Sequence, residues 1–493
     1  MNIILDLNSV DDYKTFLRVK QLPTWSIRGR EISFPDEYAE RLGLISNHHD
    51  VDYHGAPKWM LDYQGAITAT AIAKRKYSLF MDCGLGKTAI FLEFGRVALD
   101  DVKTGNRGVL MVSPLMVIPQ TIAECKRFFG DSIDIEHIKS SDLSEWTKTC
   151  GGKFGITNFE AIKDGVEQGR VGCLIIDESS MMKSHYGKWG TKLIEIGKGL
   201  DWKLAGTGTP APNDRIEYAN HAVLMDAYPN VNAFLATFFV NRGQVQNRWE
   251  LKPHALGPFY RALSHWCIFL SDPSVYGWKD NTDSIPPIHT RIHDVPMTRE
   301  QIDCVRIETG ELTLTNVGGI GKRSILGRIG KGVYRGKRIA TNKPSHINEL
   351  IDSWRMKEST IVWCLYDEEQ RILAESIPGS LSIDGKTPIK DRITAIDLFK
   401  TGTCRVLITK PKIMGFGLNL QVCTRMIFSG LEDSYEQFYQ AVKRSNRYGS
   451  EKPLHVHIPV TDVEEPMVQN VIRKSARVEK DTREQEMMFR QHQ

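Results

Sequence analysis

The sequence predicts an α/β fold of two parallel-sheet lobes, with a mainly helical insert between them and a small N-terminal α+β module ahead of them. Three observations carry that expectation. Short Val/Ile/Leu-rich runs alternate with amphipathic stretches over residues 55–235, the alternation stops over 236–344, and it resumes over 345–493. Short apolar runs ending in polar loops are how buried parallel strands read, with active-site loops at their C-terminal ends.

In the module, residues 1–54, a strand is expected near Ile3–Leu5, a helix near Asp11–Val19 and short strands around Trp25–Phe34. The first lobe's strands are Tyr77–Met81, Gly108–Val112, Phe154–Ile156 and Cys173–Ile176. The insert carries the aromatics Phe238, Phe239, Trp249, Tyr260 and Trp266, then Pro286–Pro287 and a basic Gly-rich tract. The second lobe's strands are Thr360–Cys364, Ser380–Ile383, Arg405–Ile408, Arg425–Phe428 and His455–Ile458, and a charged amphipathic helix, Glu465–Met488, closes the chain.

Bulk properties exclude several classes. A chain of 493 residues suggests about three domains at roughly 150 residues each. The net charge of +4 is too small to mark a polyanion partner, so any nucleic-acid footprint must come from local clusters of Lys and Arg. Nine scattered cysteines with no CxxC pair read as thiols in a reducing compartment. The N-terminus does not read as a signal peptide, and no apolar stretch reaches the ~18–20 residues that cross a bilayer. A cytoplasmic protein without a membrane partner is expected.

Met81-Asp-Cys-Gly-Leu-Gly-Lys-Thr88 follows an apolar strand and precedes the helix-forming run Ala89–Leu99. Glycines such as Gly84 and Gly86 let backbone N–H groups turn toward phosphate oxygens at a helix N-terminus. Lys87 would reach the β- and γ-phosphates, and Thr88 would hold Mg²⁺. Cys173-Leu-Ile-Ile-Asp-Glu-Ser-Ser180 delivers two adjacent carboxylates from a strand: Asp177 for the metal, Glu178 to orient and deprotonate water. Gly206-Thr-Gly-Thr-Pro-Ala-Pro-Asn213 places Thr207 and Thr209 at a strand end, either as a coupling element or as a simple turn. In Gln440-Ala-Val-Lys-Arg-Ser-Asn-Arg-Tyr-Gly449, Arg444 and Arg447 are spaced to share one helix face. That face is either solvated or aimed at a γ-phosphate.

In this order the elements resemble the motifs of superfamily 2 helicases, specifically the Snf2-like branch, over most of residues 60–475. The resemblance implies two RecA-like lobes, ATP and Mg²⁺ as cofactors, and DNA as partner. Leu61-Asp-Tyr-Gln64 resembles the LxxYQ signature, with Gln64 at the adenine edge. Val112-Ser-Pro-Leu115 and Ile156-Thr-Asn-Phe159 are similar to motifs Ia and Ib, which implies strand contacts from Ser113, Pro114, Thr157 and Asn158. Leu204–Asn213 resembles LTGTPxxN, implying contacts from Thr207 and Thr209. Thr409–Gln421 resembles motif V, implying strand contacts from Thr409, Lys410 and Asn419 and a nucleotide contact from Gly417. Gln440–Gly449 resembles motif VI, Ile361-Val-Trp-Cys364 motif IV, Ile285-Pro-Pro the Snf2 bridge, and Val460-Thr-Asp-Val-Glu-Glu465 the family's "T.EE" ending.

There are departures from the pattern. Met81 replaces the first Gly of the phosphate loop, Ser180 the last His of motif II and Ser450 the terminal Gln of motif VI. Phe416 interrupts the paired glycines of motif V, and the basic RRxK element is missing. The stretches Gln21–Trp25 and Ser33–Tyr38 resemble a HARP-type module, though a packing module fits equally. The compact plan is similar to phage or prophage Snf2-like proteins. Residues 317–338 hold Lys322, Arg323, Arg328, Lys331, Arg335, Lys337 and Arg338 with no acidic residue, a tract expected to be flexible and either to neutralise phosphates or to serve as a solvated linker. A monomeric, nucleic-acid-dependent ATPase that moves along or remodels DNA is the expectation, and its protein recruiter is unknown. A strand-separating or RNA-directed helicase, or a scaffold using ATP only as a switch, is the alternative.

Overall fold

The apolar runs become the strands of two separate, wholly parallel sheets. The structure is a computed structural model and describes residues 2–22, 25–34, 38, 42, 44, 53, 55–184, 187–211, 214–243, 249–279, 285–309, 320–354, 358–414, 419–431, 435–447 and 449–491. The chain divides into one unit of residues 1–280 with 482–493 and a second of residues 281–481.

At the start of the first unit, strands β1 (Asn2–Ile4), β2 (Ser26–Arg28) and β3 (Glu31–Ser33) form a small antiparallel sheet with β3 in the middle. Helix α1 (Val10–Val19) belongs to this module; Ser9 caps it by accepting from Asp12 N–H, and Asp11 and Asp12 in its first turn suit the positive helix end. Val19, Ile32 and Phe34 belong to the module's own small core.

Next comes helix α2 (Asp62–Lys74), followed by β4 (Lys76–Met81), helix α3 (Lys87–Val102), β5 (Gly108–Ser113), β6 (Ile135–His137), β7 (Phe154–Asn158), β8 (Val171–Asp177) and β9 (Trp202–Thr207). A short antiparallel hairpin, β10 (Phe239–Asn241) and β11 (Trp249–Leu251), precedes β12 (Cys267–Leu270). The seven-stranded sheet runs β12-β4-β9-β8-β5-β7-β6, every pair parallel. Strands β5 and β9 are buried at every position. That is why they read as continuous apolar runs without alternation.

The second unit begins with β13 (Ile288–Asp294), followed by the hairpin β14 (Val333–Tyr334) and β15 (Lys337–Arg338), then β16 (Ser359–Trp363), β17 (Leu381–Ser382), β18 (Val406–Thr409), β19 (Cys423–Phe428) and β20 (Leu454–Val460). Its six-stranded parallel sheet runs β13-β20-β19-β16-β18-β17. The stretch expected as an insert thus supplies an edge strand to each sheet, β12 to the first and β13 to the second.

The basic tract differs from its expectation. Residues Ile320–Gly330 form a helix, and Leu326 and Ile329 on it are buried with Cys304, Val305 and Val463. An apolar pair at i, i+3 is enough to seat a helix, and the glycines and positive charges around it hid that pair. Lys331 is buried between Glu464 and the helix, while Arg335 pairs with Glu308 and Arg338 with Glu368 and Glu375.

The final helix, Glu465–Arg490, ends in the first unit, where Phe489 lies in the core against Phe269 and Glu486 accepts from the Ser271 backbone N–H and hydroxyl. All nine cysteines are free thiols, eight of them buried. Among the described residues no helix is long and apolar enough to cross a membrane.

Candidate ATP-hydrolysing site

Strand β4 ends at Met81, and the loop after it turns through two left-handed glycines, Gly84 (φ 92°) and Gly86 (φ 76°), into α3. Gly86 caps α3 in the left-handed region, which favours glycine, and a Cβ there would sit 2.2 Å from Gln64 Nε2 and displace that amide. Lys87 and Thr88 occupy the first turn of α3. The Lys87 ammonium folds back on the loop, donating to the Met81 carbonyl at 2.8 Å and the Asp82 carbonyl at 3.2 Å.

Helix α2 braces the loop. Tyr63 Oη and Gln64 Nε2 both donate to the Leu85 carbonyl at 3.1 Å, and Gln64 Oε1 accepts from Leu61 N–H at 3.1 Å. Gln64, expected at an adenine edge, therefore spends both ends of its amide on protein here.

Two strands over, β8 delivers Asp177 and Glu178. Glu178 lies in the left-handed region (φ 61°), which costs a non-glycine residue about 1 kcal/mol or more and marks functional sites. Its Oε1 accepts from Thr207 Oγ1 at 2.7 Å and Ser180 Oγ at 2.9 Å, so two hydroxyls hold one carboxylate oxygen. Thr207 Oγ1 in turn accepts from Thr209 N–H at 3.1 Å. Ser180, where the resemblance leads one to expect histidine, is thus a second donor to the glutamate. Beneath it, His221 Nε2 is 2.9 Å from Ser179 Oγ, and burial pushes the imidazole down to about 4, so it is neutral at pH 7.

This donor set fits Mg²⁺ with a nucleotide. One carboxylate (Asp177) and one hydroxyl (Thr88) suit an ion that keeps several waters and takes phosphate oxygens for the rest. Among the described residues no cluster of three His, Cys, Asp or Glu side chains would hold a metal unaided.

In the second unit the helix Tyr435–Lys443 stops one residue before Arg444. Arg444 and Arg447 therefore lie on the turn after it, not on a shared helix face as their spacing suggested. The turn is well held. Ser450 Oγ accepts from Arg447 N–H at 3.2 Å and donates to the Ser445 carbonyl at 2.8 Å, while Leu420 N–H donates to the Arg444 carbonyl at 3.0 Å. Asn446, between the two arginines, donates to the Pro286 carbonyl at 2.6 Å. Gly417 lies outside the described residues.

Residues 342–449 match the family model described as the helicase conserved C-terminal domain. That stretch of the chain carries a helicase-type C-terminal domain. The chain is similar in structure to the Sulfolobus solfataricus SWI2/SNF2 ATPase core in complex with dsDNA, with 17% identity, a TM-score of 0.37, and coverage of 83% of this chain and 90% of that one. No curated protein matches it.

Most side chains expected on a nucleic-acid strand are spent inside the protein. Ser113, Thr157, Thr207 and Thr409 are fully buried. Ser113 Oγ donates to Asp177 Oδ2 at 3.0 Å, Thr157 to the Ile138 carbonyl and Thr409 to the Ile383 carbonyl, both at 2.9 Å. Thr209 is buried as well. Asn158 caps the next turn by accepting from Ala161 N–H at 2.9 Å, and Asn419 accepts from Gln421 N–H at 3.3 Å. Lys410 pairs with Asp367, and burial lowers its pKa. Pro114 caps the short turn Leu115–Val117. Of the basic tract, Arg328 is exposed with its guanidinium 4.9 Å above the Tyr366 ring, Arg323 is half-buried, and the Lys322 side chain lies outside the described residues.

Sequence reasoning did not find the hydroxyls on the two carboxylates or the roles of Asn446 and Ser450. Hydroxyl residues at strand ends were visible, but which neighbouring strand they faced was not. A parallel order β9-β8-β5 supplies that, since it places Thr207 and Ser113 on either side of the β8 carboxylates.

Proposed function

We propose that this protein is a superfamily 2 helicase of the Snf2-like branch, a nucleic-acid-dependent ATPase that moves along or remodels DNA. The observation that carries the reading is the hydrolytic set in the first unit: Lys87 and Thr88 at the start of α3, with Asp177 and Glu178 at the end of β8. A protein using ATP only as a switch has no need of a glutamate held by two hydroxyls beside the metal carboxylate. Lys87 and the loop amides would bind the phosphates, and Thr88 and Asp177 would hold Mg²⁺, which would neutralise phosphate charge. Glu178 orients water and takes its proton through the oxygen that Thr207 and Ser180 leave open. Arg444 and Arg447 are assigned to the charge that develops on the γ-phosphoryl group, in line with the motif VI resemblance.

DNA as the partner rests on the ordered Snf2-like motifs. The contacts are with backbone, so no sequence readout is expected. The test is the steady-state ATPase rate measured in parallel without nucleic acid and with single-stranded, duplex and forked DNA and RNA. Strong stimulation by duplex or forked DNA supports the reading. Stimulation by RNA or single strands alone replaces it with a strand-separating helicase, and no stimulation with any of them refutes it.

A further inference from the structure

The sequence places Ser113 on a nucleic-acid strand; its hydroxyl points elsewhere. Strands β5 and β8 are parallel neighbours with Val112 opposite Ile176, so the next residue on each, Ser113 and Asp177, end side by side. Ser113 has no exposed surface. Its hydroxyl has one proton to give, and that proton goes to Asp177 Oδ2 at 3.0 Å. The serine is itself held in place. It pairs with Asn158 across the β5–β7 ladder, and Pro114 after it confines its backbone to the extended region.

From this geometry we infer that Ser113 is a positioning residue for the metal-binding carboxylate, not a strand contact. By holding Oδ2 it fixes the orientation of the carboxylate that would bind Mg²⁺. The turn Leu115–Val117 begins immediately after Pro114. The inference rests on the reading of the site as a Mg-ATP site.

The test compares the full-length wild type with Ser113→Ala, Ser113→Thr and Lys87→Ala. Each is titrated with a fluorescent ADP analogue with and without Mg²⁺, and separately with duplex DNA. In Ser113→Ala the tightening of nucleotide binding by Mg²⁺ should shrink by about tenfold, the scale of one hydrogen bond to a charged group. Its metal-free nucleotide affinity and DNA affinity should match wild type, which also reports correct folding. Ser113→Thr keeps the donor and should restore the Mg²⁺ response. An Ala variant with the full Mg²⁺ response overturns the inference, as does one whose only defect is weaker DNA binding, or a Thr variant as impaired as Ala. Wild-type protein that binds no nucleotide, or Lys87→Ala that binds it normally, removes the ATP-site reading and this inference with it.

Discussion

Glu464 is the residue whose loss should be felt most widely in the second unit. It is fully buried, with Lys331 Nζ 2.6 Å from Oε1 and Lys343 Nζ 2.6 Å from Oε2, and Oε2 also accepts from the Thr461 hydroxyl at 2.8 Å. Burial alone would raise its pKa, but the two ammonium groups outweigh that and hold the carboxyl at about 2. The lysines respond in opposite directions. For Lys343 burial dominates and lowers the pKa, while for Lys331 the attraction of Glu464 overcomes burial and raises it. Glu464→Gln keeps shape and volume but leaves two buried ammonium groups facing a neutral amide. Removing one partner of a buried pair costs about 3–5 kcal/mol, and the upper half of that range applies with two stranded cations. Because the two units need not unfold together, the readout is hydrogen exchange on peptides covering 320–331 and 454–464, where the loss should appear as roughly three to four powers of ten in exchange rate. Lys331→Met, which leaves one ammonium on one carboxylate, should lose much less. Exchange in Glu464→Gln within a factor of ten of wild type, or Lys331→Met equal to it, would refute the charge argument.

Three further outcomes are expected. Burial pushes His457 down to about 3, with His293 and Arg425 adding to the effect, so the folded state binds fewer protons than the unfolded chain. Second-unit stability should therefore fall as pH drops below about 6.5, the unfolded value. His457→Phe should flatten the melting temperature between pH 6.5 and 4.5, and an unchanged slope contradicts the assignment. Glu464 adds acid sensitivity only below its ordinary range, near 4.5, as pH falls toward about 2. Thr207→Ala removes one of two donors from Glu178 Oε1; turnover should fall about 10- to 100-fold with ADP affinity unchanged, and a variant that instead loses nucleotide binding points to a different role. Arg328→Ala should reduce the log–log salt slope of DNA binding by about 0.9, whereas Arg338→Ala, whose guanidinium already makes two bonds to Glu375 at 2.6 and 2.9 Å, should leave it alone. Equal effects of the two substitutions would discount the contact at Arg328.

Much of the architecture was legible because burial on both faces leaves a strong mark on sequence. Strands such as Gly108–Ser113 and Val171–Asp177 have no polar residue to break the run until the functional end. The strand–glycine turn–helix element that carries Lys87 was legible for a related reason: its parts are consecutive, so local chemistry specifies them. What escaped the sequence depends on long-range register. Nothing local says that Ser113 faces Asp177, 64 residues away, or that Lys331 belongs to Glu464, 133 residues away. Charge counting misled for the same reason, since Lys331, Arg335 and Arg338 looked like a footprint for phosphate and are consumed by distant carboxylates. The arginine pair shows the opposite error. The i, i+3 spacing was read as helix geometry, but the helix ends at Lys443, and Ser450 holds the turn beyond it.

The route of the chain has a consequence for how the protein would come apart. The second unit is inserted into the first: the chain leaves after residue 280 and returns at 482, and the returning turns are seated by Phe489 and Glu486. A single cut near residue 281 would therefore not release two independent halves. The downstream fragment would still carry its own plug for the first unit's core, and rejoining would depend on concentration only after the cut, since before it the plug is supplied intramolecularly. Removing the last dozen residues would leave the backbone between the units unbroken and expose the apolar seat around Phe269. Trimming at the C-terminus is thus a greater hazard to solubility than a nick in the middle of the chain.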